Sequence, residues 1–136
     1  ENVSLGEGAT SVWTWANANY GMKASAYIDK VNIPCVSRLT SPAIDLSKLT
    51  EATLSFDQAI NFATDMKSEC KVQISTDGKT WEDLEVSGYP AANGWTFVTS
   101  TASLNKYCGK KIYIGFLYTS SSSSAATWEV KNVSVN

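Results

Sequence analysis

The chain has 136 residues, which fits one domain spanning residues 1–136 with a single hydrophobic core. It is 43% hydrophobic and 18% charged, so it is neither a disordered tail nor a coiled coil, and its formal charge of −2 gives no electrostatic basis for binding nucleic acid. It contains no histidine, which excludes histidine-dependent nucleophiles, HExxH zinc sites and a histidine general base.

Short runs rich in valine, threonine and aromatic residues, with no helical apolar period, predict an all-β chain. Pro34 and Pro42 keep the first strands short or at sheet edges. The segment from Asp45 to Leu49 fits either a turn or a single helical turn. The strands expected in this half lie at about 11–15, 20–28, 37–39 and 43–46.

The most regular strand is predicted between Ala52 and Phe62, where apolar side chains, Phe62 included, alternate with polar ones. Gln58 falls on the apolar face and must therefore find a hydrogen-bond partner in the interior. A β-hairpin is predicted next. Residues 71–76 alternate, residues 76–79 form a tight turn around Asp77-Gly78, and the second strand begins at residues 80–81.

Two more strands are predicted near the C-terminus. Residues 111–119 are apolar on both faces, which indicates a central strand, and residues 127–135 change phase at a bulge near Lys131-Asn132. Between them, five serines at 120–124 form either a mobile connection or the adaptable rim of a binding site. Seven to nine strands in one domain predict a two-sheet antiparallel sandwich with jelly-roll topology.

The three cysteines, Cys35, Cys70 and Cys108, match neither the spacing of a zinc site nor a dense disulfide framework. Two interpretations stay open. One is a single disulfide with one free thiol, and the other is three half-buried cysteines that act as small hydrophobic side chains.

Two aromatic clusters are candidate ligand-binding sites, because sugar rings pack on aromatic faces while amides bind their hydroxyls. The alternatives are that the first cluster caps the core and that the second staples a loop. Trp81 and Trp128 lie inside strand patterns, so both are expected in the core. The candidate residues are Trp13, Trp15, Asn17 and Tyr20 in the first cluster, and Tyr89, Asn93 and Trp95 in a glycine-bounded loop in which Tyr89 is expected to be exposed.

Paired carboxylates are the remaining route to catalysis, since two acids that flank one bond can hydrolyse a glycoside. Only Asp83 and Glu85 repeat at a spacing of two on a strand, and this pair lacks the neighbouring aromatic residues that would shield a general acid from water. The sequence therefore predicts a domain that is not an enzyme, with glycoside hydrolysis as the less favoured alternative.

Several short sequence segments occur in a fixed order, and together they resemble one type of domain. The segments are LTSPAIDLS at 39–47, ATLSFD at 52–57, VQISTDG at 72–78 with Trp81, WTFV at 95–98 and WEVKNV at 128–133. In this order they resemble the choice-of-anchor J and cleaved-adhesin type of β-sandwich domain of secreted and surface proteins in Bacteroidetes. The resemblance runs from about residue 13 to residue 135.

This resemblance implies an exported jelly-roll module of a larger surface protein, acting as a carbohydrate-binding or adhesion accessory without catalysis. The expected partner is a glycan or a host or surface protein, with no nucleic acid and no membrane insertion, and the module is expected to be a monomer. The alternative is a protein-adhesion or spacer domain without a glycan ligand. The chain starts at Glu1 without a leader pattern, as expected of a mature or trimmed part of a secreted or cell-surface protein.

No cofactor or metal site is predicted. Domains of this type often hold a structural calcium, and Asp57 and Glu129 would be the acids to serve if their strands are neighbours. The alternative is that each is a solvated acid on the outer face of its strand.

Overall fold

The computed structural model describes residues 2–5 and 12–136, which form antiparallel β-strands, one helical turn and one 3₁₀ turn at Asn105–Tyr107. None of the described helices is long and apolar enough to cross a membrane. The elements are β1 (Asn2–Leu5), β2 (Trp13–Asn17), β3 (Gly21–Ser25), β4 (Tyr27–Ile28), β5 (Val31–Asn32), β6 (Cys35–Thr40), β7 (Ile44–Asp45), β8 (Thr53–Asn61), α1 (Met66–Glu69), β9 (Cys70–Ser75), β10 (Glu82–Asp83), β11 (Val98–Ser103), β12 (Lys111–Ser120) and β13 (Thr127–Val135).

These strands build a two-sheet antiparallel sandwich, which confirms the predicted all-β class. The first sheet has the order β1-β6-β12-β9-β10, with β7 also pairing with β12. The second sheet has the order β11-β8-β13-β3-β2, and β4 and β5 form a separate hairpin. The jelly-roll connectivity stays a prediction.

The core lies between the sheets and is centred on aromatic rings that meet edge to face. The ring of Phe116 on β12 lies 5.2 Å from that of Phe56 and 5.9 Å from that of Trp128, both on the second sheet. Trp128 is fully buried, as predicted. The two sheets are therefore joined by ring contacts between their central strands.

The regular strands lie where the hydrophobic patterns place them. β8 alternates from Thr53 to Gln58, and beyond it Ala59, expected on the polar face, is buried as well. β12 is central between β6 and β9, and the register of β13 shifts between Lys131 and Ser134 as the predicted bulge requires. The predicted hairpin is β9–β10, although β10 has only two residues. In its turn, backbone N–H groups of Thr80 and Lys79 donate to Asp77 at 2.8 Å and lower the pKa of that carboxyl to about 2.

The first half of the chain departs more from the predicted elements. The predicted strand at 20–28 is divided into β3 and β4, because the N–H of Ala26 donates to the hydroxyl of Tyr118. Residues 45–49 form a short strand end and a turn, with no helical turn. Ser11, the predicted start of the strand at 11–15, lies outside the described residues.

Trp81 was expected in the core, and that prediction is wrong. Its ring is half-buried on the outer face of the first sheet, with the guanidinium of Arg38 4.4 Å from the ring centroid. Gly115 makes this arrangement possible, because a Cβ there would lie 2.7 Å from Arg38 Cδ and 2.9 Å from Trp81 Cζ3. Alternation assigns Trp81 to a strand face, but it does not say which of the two faces is buried.

All three cysteines are free thiols, as the packing interpretation expects. Cys35 and Cys70 are buried, and burial raises the pKa of both thiols above the ordinary value. Cys108 is half-buried, and its Sγ lies 3.7 Å from the carbonyl oxygen of Leu104. The three side chains therefore act as small hydrophobic groups.

Gln58 has the interior partners that its position on the apolar face requires. Its Oε1 accepts from the indole N–H of Trp128 at 2.9 Å, and its Nε2 donates to the hydroxyl of Ser100 at 2.9 Å. Ser100 in turn donates to the carbonyl of Gly88 at 2.9 Å. This buried polar chain ties β13, β8 and β11 to the loop that follows β10.

Replacing Gln58 by methionine should destabilise the protein by about 2–4 kcal/mol, because the indole N–H of Trp128 would stay buried without an acceptor. Urea denaturation measures the loss. Ser55→Ala, on the outer face of the same strand, should stay within about 0.5 kcal/mol of the wild type. A Gln58→Met protein as stable as the wild type would contradict this account.

Candidate ligand-binding cleft

A cleft of about 390 Å³ opens at the end of the sandwich where β8 ends and β13 begins. Two of its lining residues are aromatic and exposed, Tyr27 at 56% and Phe62 at 63%. The others are small or polar, and none of the eight lining residues carries a charge. The complete lining is Tyr27, Asn32, Phe62, Thr64, Ser123, Ser124, Ala125 and Thr127.

Phe62 is held out of the core by its backbone. Its φ of +63° lies in the left-handed region, which is unfavourable for a bulky residue and costs about 1–2 kcal/mol. The amide side chain of Asn93 holds the next residue, accepting from the N–H of Ala63 at 2.8 Å and donating to its carbonyl at 2.9 Å. The ring of Trp95 packs edge-on at 5.9 Å from Phe62. The strained turn therefore keeps an apolar ring in water at the rim of the cleft.

The prediction that Phe62 continues the buried face of β8 is wrong for this reason. Alternation predicts the orientation of side chains only while the backbone stays extended. Asn61 ends the strand by accepting the N–H of Phe62 on its own Oδ1 at 2.9 Å. Phe62 and Tyr27, the two aromatic residues that line the cleft, are not in either predicted aromatic cluster.

Tyr27 is presented by the β4–β5 hairpin. The two turn residues, Asp29 and Lys30, have φ values of 50° and 64°, as in a type I′ turn. Tyr27 pairs with Asn32 across the hairpin, and the Asn32 amide donates to the carbonyl of Ser122 at 3.4 Å. The hairpin is therefore tied to the serine-rich segment on the other side of the cleft.

The serine-rich segment is an ordered turn. The hydroxyl of Ser121 accepts from the N–H groups of Ser123 at 3.3 Å and Ser124 at 3.1 Å, and Ser120 donates to the carbonyl of Ile33 at 2.6 Å. Because Ser123 and Ser124 line the cleft, this geometry favours the interpretation of the segment as a rim.

Glu69 holds two lining residues of the cleft, Thr64 and Ser124, through hydrogen bonds. Its buried carboxylate accepts the N–H of Thr64 at 2.8 Å, the N–H of Asp65 and the hydroxyl of Ser124. The hydroxyl of Thr64 donates to that of Ser124 at 3.0 Å. Sequence reasoning missed Glu69, because Ser124 is 55 residues further along the chain and no local spacing relates them.

Tyr118 holds both sides of the cleft from the core. Its fully buried hydroxyl accepts the N–H of Ala26 at 3.0 Å and donates to the carbonyl of Ala126 at 2.7 Å. These two residues directly precede Tyr27 and Thr127, which line the cleft. Burial raises the pKa of the Tyr118 hydroxyl well above its ordinary value, so it remains a donor.

The first predicted cluster lies along β2, away from the cleft. Trp13 packs on Trp128 at 5.3 Å and its indole donates to the carbonyl of Ser37 at 3.2 Å, which is the packing role that was weighed against ligand binding. Trp15 is 66% exposed on this edge strand. At the far end, Asn17 accepts from the N–H of Tyr20 at 3.2 Å and shapes the turn.

The second predicted cluster contributes to the cleft in part. Tyr89 is half-buried and donates to the carbonyl of Cys70 at 2.6 Å, so the expectation that it is exposed is wrong. Asn93 clamps the turn at Ala63, and Trp95, 56% exposed, packs beside Phe62. Asn93 and Trp95 thus contact the turn at residues 62–63 without lining the cleft, and the structure does not bring the two predicted clusters together.

Asp57 and Glu129 lie on neighbouring strands, as the calcium hypothesis requires. Asp57 accepts from Thr99 at 2.7 Å and Asn132 at 2.9 Å, and these hydrogen bonds lower the pKa of its carboxyl. Glu129 is buried, so the description of it as a solvated acid is wrong, and burial raises the pKa of its carboxyl. Within residues 2–5 and 12–136, no three histidine, cysteine or acidic residues form a group able to hold a metal.

The pair Asp83 and Glu85 lines a separate side groove of about 700 Å³. Asp83 accepts from the Gln73 amide at 2.8 Å and from the Lys71 ammonium at 3.1 Å, and these contacts lower the pKa of its carboxyl. A general acid requires the opposite shift. The geometry therefore does not prepare Asp83 for protonating a leaving group.

No protein-family model matches this chain, and the search of curated proteins found no match. Among solved structures, the chain is similar to a mutant of Xylanase10C from Cellvibrio japonicus in complex with xylopentaose. The TM-score is 0.44 and the identity 18%, and the match covers 96% of this chain but only 26% of that chain. A similarity this low carries no information on function.

Replacing Glu129 by glutamine should raise the melting temperature at pH 7. With a raised pKa in the folded state, the carboxyl loses its proton in the unfolded chain first, so stability falls as the pH rises above about 4. The difference between Glu129→Gln and wild type should vanish at pH 3, where both states are protonated. Glu51→Gln, at an exposed acid, is the control, and an equal effect there would contradict the prediction.

Replacing Tyr118 by phenylalanine should destabilise the protein by about 2–4 kcal/mol, because the N–H of Ala26 and the carbonyl of Ala126 would be left buried without partners. Urea denaturation measures this loss, and hydrogen exchange at the Ala26 amide should accelerate. Tyr113→Phe, on the outer face of the same strand, should leave both observables unchanged. Unchanged exchange at Ala26 would argue against the proposed bridge.

Proposed function

We propose that this domain is a non-catalytic carbohydrate-binding module of an exported or cell-surface bacterial protein, and that the sugar binds in the end cleft. The observation that carries the proposal is the pair of exposed rings of Tyr27 and Phe62, held by the backbone at a cleft whose remaining lining is uncharged and mostly polar. The export and the surface location follow from the family resemblance of the sequence.

The chemistry of the cleft matches that of a sugar ring. Aromatic faces pack against the C–H groups of a pyranose, while amides and hydroxyls bind its hydroxyl groups. Asn32, Thr64 and Thr127 supply these polar groups beside the two rings. The cost of holding Phe62 in a left-handed conformation also supports a role for its ring, because backbone strain of this kind concentrates at binding sites.

A binding role fits the acids better than a catalytic role does. Glu69, which bonds to the lining residues Thr64 and Ser124, is buried and accepts three hydrogen bonds. Asp83, in the side groove, has a lowered pKa because of Gln73 and Lys71. The hydrogen bonds of Glu69 give it a structural role, and a lowered pKa disfavours Asp83 as the general acid of a glycosidase.

Exposed aromatic rings also serve protein adhesion, which is the competing function. A protein partner would use the outward surface of the rings, whereas a sugar would use the cleft between them. The experiment must therefore test sugar binding directly and locate the binding residues.

Purified domain should be screened on a glycan array with and without calcium, and each hit titrated by calorimetry. Phe62→Ala and Tyr27→Ala should each weaken binding about tenfold or more, because each removes one stacking face. Trp15→Ala and Tyr20→Ala are matched controls, since they remove exposed aromatic rings that do not line the cleft. These controls should bind as the wild type does.

Loss of binding in Trp15→Ala or Tyr20→Ala, with Phe62→Ala unaffected, would move the site to β2 and overturn the end cleft. An array without any hit in either condition would overturn carbohydrate binding and leave protein adhesion or a spacer role. Circular dichroism and melting curves of each variant show whether a loss of binding reflects unfolding.

A further inference from the structure

The hydroxyl groups along one wall of the cleft form a chain with a fixed direction. The Ser124 hydroxyl donates its hydrogen to the Glu69 carboxylate, which also accepts the backbone N–H groups of Thr64 and Asp65. The Thr64 hydroxyl donates its hydrogen to Ser124 Oγ at 3.0 Å. A hydroxyl has one hydrogen and two lone pairs, so the hydroxyl hydrogens of Thr64 and Ser124 are both donated within the protein.

Thr64 Oγ1 therefore offers a ligand only its lone pairs. It lies in the lining of the cleft, where the residue is exposed. Because the chain ends on a carboxylate, each hydroxyl is polarised by the next, and the acceptor strength of Thr64 increases. A ligand group that bonds to Thr64 Oγ1 must therefore be a hydrogen-bond donor.

The rest of the lining adds a second restriction. All eight residues are uncharged, so no Lys or Arg in the lining can pair with an anionic ligand. Carboxylates, sulfates and phosphates only accept hydrogen bonds, so they would meet the lone pairs of Thr64 and, behind them, the charge of Glu69.

From these contacts we infer that the cleft selects a neutral sugar which donates a hydroxyl hydrogen to Thr64 Oγ1. This inference rests on the proposed carbohydrate-binding function and specifies its ligand class. The volume of about 390 Å³ is near the small end of ligand pockets, which range over about 300–1,000 Å³, so it suits one or two sugar units. Glu69 is a positioning residue that acts through Ser124 and Thr64.

The first test compares neutral with acidic sugars. Methyl glycosides of glucose, galactose, mannose, N-acetylglucosamine and xylose are titrated beside glucuronic acid and N-acetylneuraminic acid at low and high salt. At least one neutral glycoside should bind, the acids should bind at least about tenfold more weakly, and salt should have little effect.

The second test uses deoxy and fluorodeoxy forms of the tightest neutral glycoside, one hydroxyl position at a time. Fluorine replaces a hydroxyl that donates and accepts with a group that cannot donate. At the position that contacts Thr64, the fluoro and the deoxy forms should both lose about tenfold in affinity, because both lack the hydrogen.

Glu69→Gln should reverse the direction of the hydroxyl chain. The amide oxygen can still accept the two backbone N–H groups, while the amide N–H donates to Ser124, which then donates to Thr64 and frees the Thr64 hydrogen for the ligand. The loss caused by fluorine at the sensitive position should then shrink to less than about threefold. A merely structural role of Glu69 would weaken all ligands equally and leave this ratio unchanged.

Ser124→Ala serves as the second variant if Glu69→Gln does not fold, because it also frees the Thr64 hydroxyl hydrogen. Ser123→Ala is its matched control, as Ser123 lines the same cleft but donates nothing to Glu69 in this structure. Only Ser124→Ala should reduce the loss of affinity that fluorine causes at the sensitive position.

The outcomes separate the two proposals. Tight binding of the acidic sugars, a fluorine penalty absent at every position, or a penalty unchanged in both Glu69→Gln and Ser124→Ala would overturn the inference while carbohydrate binding stands. If no sugar of either kind binds, in this panel or on the array, the proposed function fails and this inference fails with it.

Discussion

The buried hydroxyl of Tyr118 is the constraint on which the cleft end of the sandwich depends. Tyr118 belongs to β12, the central strand of the first sheet, but its hydroxyl bonds to Ala26 and Ala126, which flank strands of the second. A hydroxyl in the core must satisfy both its donor and its acceptor capacity, so these backbone positions are held together. One buried polar atom thus sets the spacing between the β4–β5 hairpin and the start of β13.

Polar groups and backbone strain are concentrated around this end. The left-handed backbone of Phe62, the clamp by Asn93 and the buried carboxylate of Glu69 all lie within the turn after β8 or against it. The strain at Phe62 and the burial of Glu69 cost free energy, and hydrogen bonds from Asn93 and to Glu69 offset these costs. The result is a preorganised cleft, in which little ordering would remain to be done when a ligand binds.

Particular residues show how far sequence reasoning extends into the site. The alternation of β8 predicts Gln58 as a buried amide with a partner, and this holds because extended backbone continues through that position. The same alternation fails four residues later at Phe62, where a hydrogen bond from its own N–H to Asn61 turns the chain. For Trp81, the pattern predicts a strand face but not whether that face is buried in the core. Its ring instead packs under Arg38 on the outer face, where Gly115 leaves room for both side chains.

By itself, the sequence determined the all-β class, the central position of β12, the β9–β10 hairpin and the bulge in β13, because these depend on side-chain periodicity and turn residues within one segment. Only the tertiary structure decided which aromatic rings meet at a cleft and how Glu69 orients Ser124 and Thr64. Those contacts join segments far apart in sequence, and they depend on the register and spacing of the two sheets. No local pattern carries that information.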